Sequence, residues 1–455
     1  MGENRMNRKL YDRLLEWKRE EASESALLIE GARRVGKSWI AEEFAKREYD
    51  AHLVIDFSQA GSEVRDLFEN GLDRLDSFFR NLCAYYETSL PRGRSLVIFD
   101  EVQRFPRARE AIKALVADGR YHYIETGSLV SIRENTKDIL IPSEETHVAL
   151  NPMDFEEFLL ATGREELHAV LHDAFAERRS VGQAIHRKAT EAFREYLIVG
   201  GMPQSVEAFR KDRDLKAADR VKRRILALYR DDISKHAGRY ALKTRRTFDE
   251  IPAQLSKHEK KFSFASLGKN ARQRDYEDAV FWLIDARIVN PCYCATEPNI
   301  GLRLNSERSA FKCYMADTGL LVSHAFDENS LAAESIHKRL LFGDLAVNEG
   351  MLAENIVAQM LVATGRNLYY YSQTSEEDRR SRMEIDFLVS GATTARRKNI
   401  HPVEVKSGKS LRHVSLDKFM SRFSNWIGEP YLLHTGDLCV KDGILYLPLY
   451  MAPFI

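Results

Sequence analysis

The stretch from Gly31 to Ser38 constrains this chain most, because it has the G-x-x-x-x-G-K-[ST] pattern of a phosphate-binding loop. An apolar run at Ser25–Ile29 leads into it, and a helical pattern follows it. In this strand–loop–helix order, glycines let backbone N–H groups surround phosphates, and the helix adds its positive end. We therefore predict an ATP site in which Lys37 contacts the β- and γ-phosphates and Ser38 ligates Mg²⁺. The predicted ATP-binding residues are Gly31, Ala32, Arg33, Arg34, Val35, Gly36, Lys37, Ser38 and Trp39.

A second apolar strand, Ser95–Asp100, ends in two acidic residues, Asp100 and Glu101. A strand that is buried on both faces would deliver Asp100 to the mouth of a parallel sheet, where it can hold Mg²⁺ through Ser38 or water. Glu101 is then placed to polarise the water that attacks ATP. The alternative for Glu101 is a solvated carboxylate at a strand end.

A further strand, Tyr121–Glu125, leads into Thr126 and Ser128. A polar side chain at this strand end would lie beside the γ-phosphate, and Thr126 is the first candidate, with Ser128 second and a plain turn as the alternative. Strands that alternate with helices and end near the phosphates indicate a doubly wound α/β domain with a parallel sheet. We predict that this ATPase core spans residues 1–153.

The middle of the chain reads as helical from 154 to 233, which predicts a helical lid. Short helical patterns then precede two strands, Val289–Cys294 and Ala310–Asp317, and together they indicate a winged helix-turn-helix over 234–326. Basic residues gather in this part of a chain whose Lys plus Arg and Asp plus Glu are equal at 68 each. Such a local concentration suits a phosphate backbone, so we predict DNA contacts; the alternative is a solvated helical face or a surface for acidic neighbours. The predicted DNA-binding residues are Arg245, Arg246, Lys260, Lys261, Arg272 and Arg274.

The last part of the chain, 327–455, combines a helix that carries Glu354 with two strands that carry Asp386 and Glu404-x-Lys406. Residues two apart on a strand share a face. Glu354, Asp386 and Glu404 could therefore hold Mg²⁺ while Lys406 orients or deprotonates a water, which is the chemistry of metal-assisted phosphodiester cleavage. The alternative is a hairpin whose charged side chains form ordinary ion pairs.

Length and composition limit the number of domains and the classes of partner that are possible. A length of 455 residues suggests two or three domains, and no apolar run approaches the roughly 18–20 residues that span a bilayer, so we predict no membrane partner. The five cysteines are scattered, which predicts reduced thiols and a cytoplasmic location.

Taken together, the motifs resemble a family: the prokaryotic AAA+ ATPases that join an extended ATPase core to a winged helix and a C-terminal domain similar to PD-(D/E)xK nucleases. The matching stretches are GARRVGKS, SLVIFDEVQ, ETGS, NPMDFEEFL, VGGMP, YMADTGLL, LAENIVAQML, MEIDFLV and HPVEVKSGK. The resemblance implies ATP hydrolysis by Lys37, Ser38, Asp100 and Glu101. It also implies an α/β restriction-endonuclease-like domain with a site of Glu354, Asp386, Glu404 and Lys406.

The chain departs from that family between Ile141 and His147, where many members have Gly-Arg and this sequence has none. Arg133 and Lys137 are the nearby cations. A ring with arginines acting between subunits is therefore in doubt, and a monomeric or dimeric switch gains weight, which leaves self-association open.

Three functions compete on this sequence. ATP turnover could drive a DNA-processing enzyme, it could operate a switch whose nuclease-like domain only binds DNA or protein, or it could power a polypeptide-handling machine. The third lacks an aromatic-glycine pore loop, and we favour the first narrowly over the second.

Overall fold

The computed structural model describes residues 7–127, 143–257, 260–268, 271–299, 301–326, 339, 349–373, 382–391, 399–408 and 410–455. These residues divide into two compact units. The first unit comprises residues 7–151 and 285–287, and the second comprises residues 152–284 and 288–455.

The first unit alternates strands and helices, as predicted. Its elements are α1 (Leu10–Glu20), β1 (Ala26–Glu30), α2 (Lys37–Glu48), β2 (Ala51–Asp56), α3 (Ser62–Asn70), α4 (Leu75–Tyr85), β3 (Ser95–Asp100), α5 (Pro106–Asp118), β4 (His122–Gly127) and β5 (Glu145–Ala149). The strands form one sheet in the order β2-β3-β4-β1-β5, and every neighbouring pair is parallel. The prediction of an α/β domain with a parallel sheet is confirmed.

Helices cover both faces of this sheet because its three inner strands, β1, β3 and β4, are buried on both sides. Alternate residues of a strand point to opposite faces, so Val97 and Phe99 of β3 pack in one core with α3, α4 and α5. Leu96 and Ile98 pack in the other with α1 and α2. Such a strand can only be buried in the middle of a doubly wound sheet, and its carboxyl end therefore emerges at the edge where β1 also ends.

The second unit begins with helices. They are α6 (Phe155–Ala161), α7 (Glu165–Ala176), α8 (Gln183–Val199), α9 (Pro203–Asp212), α10 (Leu215–His236), α11 (Ala241–Leu255) and α12 (Gln273–Asp285). α6 starts at a capping box in which Asp154 accepts from the Glu157 backbone and Glu157 accepts from the Asp154 backbone. The described residues between 155 and 285 contain no strand, which confirms the helical character of this region, while its role as a lid stays a prediction.

The remaining elements build a second sheet. They are β6 (Val289–Ala295), β7 (Ser306–Met315), α13 (Thr318–Ala325), α14 (Glu349–Ala363), β8 (Leu368–Gln373), β9 (Met383–Ser390), β10 (Ile400–Val405), α15 (Val414–Arg422), β11 (Tyr431–His434), β12 (Cys439–Lys441) and β13 (Ile444–Pro448). The strand order is β12-β13-β11-β10-β9-β8-β6-β7.

The predicted β-hairpin forms, but it is not a free two-stranded wing. β6 pairs antiparallel with β7 and, on its other side, parallel with β8. The pairing satisfies the backbone groups that an exposed strand edge would leave open, so the predicted boundary between residues 326 and 327 passes between strands of one sheet. A separate winged helix is not confirmed, and the four-domain division stays a prediction.

A buried hub, formed by Met153, Gly201, Asp317 and Gln359, connects four of the stretches that carry the family resemblance. The Asp317 carboxylate accepts from the backbone N–H groups of Gly201 (2.5 Å) and Leu320 (2.7 Å). Gln359 donates to the carbonyl of Met153 (3.3 Å) and accepts from the N–H of Thr318 (2.7 Å). Burial raises the pKa of Asp317, against the pull of these donors. The hub fixes the start of the helical region to α13 and α14.

No helix in the described part of the chain is long and apolar enough to cross a membrane. All five cysteines are free.

Candidate functional site

The phosphate-binding loop lies between the end of β1 and the start of α2, as the sequence predicts. Two backbone positions in it have positive φ, Arg34 at 70° and Gly36 at 100°. At Gly36 this conformation leads directly into the helix, and glycine adopts it without a steric cost. The loop therefore points backbone N–H groups inward at a helix N-terminus, which is an anion site by construction. The side chains of Arg33, Arg34 and Trp39 are exposed.

Lys37 lies inside this loop. Its ammonium donates to the carbonyls of Gly31 (3.0 Å) and Ala32 (3.2 Å), and the residue is only 6% exposed. Burial lowers the pKa of Lys37, while the carboxylates of Glu101 and Asp100 work to raise it. A buried cation beside a set of N–H donors is suited to a polyphosphate.

Asp100 connects the phosphate-binding loop to the end of β4. Its Oδ1 accepts from the Ser38 hydroxyl at 2.7 Å and also from the Thr126 hydroxyl. Ser38, Asp100 and Thr126 come from three different elements, and the parallel register of the sheet brings them to one edge. The structure thus places together three residues that the sequence separates by up to 88 positions, counted from 38 to 126.

Glu101 has a backbone that few non-glycine residues adopt, with φ 55° and ψ 44°. Such a conformation costs about 1–3 kcal/mol and persists only where the surroundings enforce it. Its N–H donates to Thr126 Oγ1 (3.3 Å), and Gln103 donates to its carboxylate (2.6 Å). Glu101 is therefore held in a defined orientation at the strand end, and Gln103 is a positioning residue that the sequence analysis missed.

Arg8 is a further residue that the sequence analysis missed, because nothing in a motif marks it. It is 6% exposed, and it donates to the carbonyls of Val35 (3.0 Å) and Asn151 (2.5 Å). The guanidinium thus fixes the phosphate-binding loop to the residue that follows β5.

Charged side chains also form ion pairs around β5, the strand at one edge of the sheet. Arg109 of α5 donates twice to Glu145 of β5, at 2.8 and 2.6 Å. His147 pairs with Glu30 (3.0 Å) and Glu145 (3.4 Å), and both carboxylates raise its pKa to about 9. Burial and the nearby Glu145 raise the pKa of Glu125 well above its ordinary value. These ion pairs occupy the segment that departs from the family pattern, while Ser128, Arg133 and Lys137 lie outside the described residues.

In the second unit, the four predicted nuclease-type residues lie on or against the larger sheet. Phe387 pairs with Val403 between antiparallel β9 and β10, so Asp386 and Glu404 lie at the next opposed position on one face. Asp386 accepts from the N–H of Val405 (2.8 Å), and Lys406 pairs with Glu404 Oε1 (2.5 Å). Glu354 of α14, whose side chain is 12% exposed, accepts from the Tyr314 hydroxyl (3.0 Å).

Lys312 of β7 lies in the middle of these carboxylates, and no pattern in the sequence marks it. Its ammonium is 2.8 Å from Glu384, 3.8 Å from Glu354 and 3.9 Å from Asp386. Lys260 forms a second ion pair with Glu354. We call the group Glu354, Glu384, Asp386, Glu404, Lys260, Lys312 and Lys406 the C-terminal cluster.

The pKa shifts in the C-terminal cluster follow from burial and these ion pairs. Burial would lower the pKa of Lys312, but the carboxylates of Glu354, Glu384 and Asp386 raise it above its ordinary value. Burial would raise the pKa of Glu354, but Lys312 and Lys260 lower it. Burial and the Glu354 carboxylate raise the pKa of Asp386 to about 7.

Three family models match parts of the chain. Residues 23–159 match the AAA domain, residues 190–330 match a domain of unknown function (DUF8612), and residues 349–451 match another domain of unknown function (DUF4143). No curated protein matches the chain. The match of residues 23–159 to the AAA domain supports an AAA-type ATPase domain in this part of the chain.

Several solved structures are similar to the chain at low identity. A Walker-type ATPase of Pyrococcus abyssi is 16% identical, with 70% of this chain and 96% of that one covered and a TM-score of 0.41. The Drosophila ORC, in a structure bound to DNA, is 14% identical over 68% of this chain and 92% of that one, with a TM-score of 0.29. PCH-2 of C. elegans is 11% identical over 48% and 66%, with a TM-score of 0.23.

The AAA domain fits a magnesium nucleotide. Its loop offers N–H donors and the Lys37 ammonium for phosphates, and the Ser38 hydroxyl and the Asp100 carboxylate offer the oxygen ligands that Mg²⁺ takes.

The C-terminal cluster fits a second metal ion poorly. Among the described residues, no group of three or more His, Cys, Asp or Glu side chains is arranged to hold one. A Mg²⁺ ion about 2 Å from the nearest oxygen of Glu354 or Asp386 would lie within about 6 Å of the Lys312 ammonium. At an effective dielectric constant of about 20, the two cations would repel each other by about 5 kcal/mol. The predicted metal ligands Glu354, Asp386 and Glu404 therefore lie near one another, but as partners of lysines.

The predicted DNA-binding residues differ in exposure. Arg246, Lys261, Arg272 and Arg274 are exposed. Arg245 is half-buried and pairs with Asp249 at 2.9 Å, and Lys260 belongs to the C-terminal cluster. Lys260 was predicted to contact DNA, but its 11% exposed side chain is committed to Glu354.

Proposed function

We propose that the AAA domain of this chain binds and hydrolyses ATP with Mg²⁺ through Lys37, Ser38, Asp100, Glu101 and Thr126. The observation that carries this assignment is the pair of hydroxyl groups, from Ser38 and Thr126, on one oxygen of Asp100. This arrangement places the end of the phosphate-binding loop, the end of β3 and the end of β4 around a single carboxylate.

The residues of the site have different roles in binding and hydrolysis. Backbone N–H groups of residues 31–38 and the Lys37 ammonium bind the phosphates, while Ser38 and Asp100 hold the metal. Mg²⁺, when bound, neutralises charge on the phosphate oxygens. Glu101 accepts the proton of the attacking water, and Gln103 keeps its carboxylate in position. Thr126, through Asp100, is sensitive to the presence of the terminal phosphate.

The test separates binding from turnover. Lys37→Ala should abolish ATP binding, because it removes the buried cation of the loop. Glu101→Gln should retain binding and lower kcat by about 10²–10⁴-fold, because the amide cannot take a proton. Nucleotide affinity is measured by calorimetry, and turnover by phosphate release.

Matched controls exist on the same elements. Lys46→Ala lies on α2 in an exposed ion pair with Glu42, and Glu110→Gln lies on α5 in an ion pair with Arg107. Both should leave affinity and kcat unchanged. Wild-type turnover by the Glu101→Gln protein would remove Glu101 from the mechanism.

For the second unit, we propose a nucleotide-dependent binding role with DNA as the partner. Exposed cations at Arg246, Lys261, Arg272 and Arg274 support a contact with a phosphate backbone. The sequence narrowly favours ATP turnover that drives a DNA-processing enzyme. The ion pairs of Lys312, Lys260 and Lys406 with the acidic residues now favour the other interpretation, a switch whose nuclease-like domain binds without cutting. A cytoplasmic location and the absence of a membrane partner also stay predictions.

A further inference from the structure

The C-terminal cluster contains its own positive charges. It comprises four carboxylates (Glu354, Glu384, Asp386 and Glu404) and three ammonium groups (Lys260, Lys312 and Lys406). Ion pairs of 4 Å or less join Lys260 and Lys312 to the first three carboxylates, and Lys406 pairs separately with Glu404. The formal charges therefore balance to within one unit. Carboxylates grouped without such partners would repel one another and attract a dication, but here each carboxylate already has a lysine.

Lys312 is the member that is held most firmly. Its side chain is 2% exposed, and its ammonium also lies 5.0 Å from the ring centre of Tyr370. Its backbone pairs with Cys292 on one side and forms a β-bridge with Lys261 on the other. Neither the backbone nor the side chain can move away without breaking packed structure, so the ammonium is a fixed part of the fold.

From this geometry we infer that Lys312 is the resident cation of the C-terminal cluster, so that these carboxylates keep together without a divalent metal. The ammonium contacts carboxylates from α14 and β9, and it thereby joins β7 to the strand and helix that carry the nuclease-like residues. This role goes beyond the ATPase activity and does not depend on it.

One buried oxygen atom favours a bound metal ion instead. Glu404 Oε2 is buried, and no donor in the described part of the chain reaches it. A metal ion beside Glu404 and Asp386 would coordinate that oxygen. If Lys312 is the cation instead, only a water molecule can donate a hydrogen bond to it. The two views predict different responses to metal, and the experiment uses that difference.

The test is metal binding by the full chain in a Lys37→Ala, Asp100→Ala background, which removes the nucleotide-linked metal site. Thermal unfolding is followed with and without Mg²⁺ or Mn²⁺, and bound Mn²⁺ is counted by electron paramagnetic resonance. We expect no metal-dependent rise in Tm and no bound Mn²⁺. A ligand at 100 times its Kd would favour the folded state about a hundredfold, so even a site of moderate affinity would be seen. A saturable shift that Asp386→Asn or Glu404→Gln abolishes would overturn the inference.

The second arm removes the resident cation. Lys312→Met keeps an unbranched side chain but removes the ammonium, which leaves the carboxylates with too little positive charge. Tm should therefore fall, and Mg²⁺ or Mn²⁺ should now restore part of it. The double variant Lys312→Met, Asp386→Asn should be less metal-dependent than the single one. A Lys312→Met protein with unchanged Tm and no metal response would contradict the role of Lys312.

Lys222→Met is the matched control, because Lys222 is also buried but donates to the carbonyls of Ile198 and Gly319 and pairs with a single carboxylate, Asp219 at 3.9 Å, among the described residues. It should lower Tm without creating a metal response. If Lys312→Met does not fold, the metal titration of the Lys37→Ala, Asp100→Ala protein still decides the question. Failure of this inference leaves the ATPase assignment untouched, since that assignment is read from phosphate release by the wild-type protein.

Discussion

At the scale of single residues, the ATP site depends on hydroxyl groups around one carboxylate. Ser38 and Thr126 both donate to Asp100 Oδ1, and Thr126 also accepts from the N–H of Glu101. Thr126 thus touches both acidic residues of the site. A change in the position of its hydroxyl would therefore affect both the proposed metal ligand, Asp100, and the proposed general base, Glu101.

Replacing Thr126 should therefore impair turnover more than binding. Thr126→Val keeps the shape and removes the hydroxyl, and a hydrogen bond to a charged group contributes about 1.5–3 kcal/mol. If that contribution is realised in the transition state, kcat falls by about tenfold to a hundredfold, while the affinity for ATP stays within a few-fold. Thr126→Ser retains the hydroxyl and should keep most of the activity. A Thr126→Val enzyme with wild-type kcat would assign Thr126 to the plain turn instead.

At the scale of elements, the buried hub explains why separate short motifs occur together in the second unit. The N–H of Met153 donates to the carbonyl of Gly201 (2.8 Å), and Tyr196 of α8 donates to the carbonyl of Met153 (2.7 Å). The chain segment just before α6 is therefore held between the backbone at Gly201 and the side chain of Tyr196. Only a residue without a side chain fits there, since a Cβ on Gly201 would lie 2.1 Å from the Met153 carbonyl oxygen.

Gly201→Ala should consequently destabilise the protein. The clash is with backbone atoms that cannot rotate away, and overpacking of this kind costs about 1–3 kcal/mol. The measurement is the midpoint of urea unfolding. Gly268→Ala is the control, because a Cβ at Gly268 meets nothing within 4 Å, and it should change stability by less than about 0.5 kcal/mol. Equal stabilities for the two variants would show that the hub can relax.

At the scale of the whole molecule, the balance of charge is neutral and only local concentrations can attract nucleic acid. Lys plus Arg equals Asp plus Glu at 68 each. Several basic side chains between residues 220 and 275 form ion pairs within the second unit. Arg223 pairs with Asp219 (2.7 Å), and Arg245 pairs with Asp249 (2.9 Å). Fewer of these basic side chains are therefore available to DNA than the sequence suggests.

DNA binding should be salt-dependent and should centre on the basic side chains that stay exposed. Arg246→Glu, Lys261→Glu and Arg272→Glu together should weaken binding to all DNA sequences alike. The slope of log K against log salt should become shallower by about 0.9 for each phosphate that the variant no longer neutralises. Fluorescence anisotropy over a series of salt concentrations measures both effects. Arg187→Glu, Lys188→Glu and Lys211→Glu change the net charge equally at other exposed positions and serve as the control. Equal weakening in the two triple variants would point to net charge rather than a defined surface.

How far the sequence alone could go differs between the two units. In the first unit, local patterns sufficed: the strand, loop and helix around Lys37 and the acidic end of β3 were predicted to within a few residues, and the parallel sheet is confirmed. This worked because phosphate binding uses contiguous backbone, so its residues are neighbours in sequence. Arg8 and Gln103 escaped prediction because their roles depend on which carbonyl or carboxylate lies opposite.

In the second unit, the tertiary structure decided what the sequence could not. The sequence predicted the strands of the hairpin and those carrying Asp386 and Glu404, but no local signal says that β6 pairs with β8. That pairing brings β7 into the sheet and with it Lys312, which is 74 residues from Asp386 along the chain, counted from 312 to 386. Acidic residues in a nuclease-like pattern predict a metal by their chemistry alone. Whether a metal or a lysine balances their charge depends on which distant side chain the fold places among them.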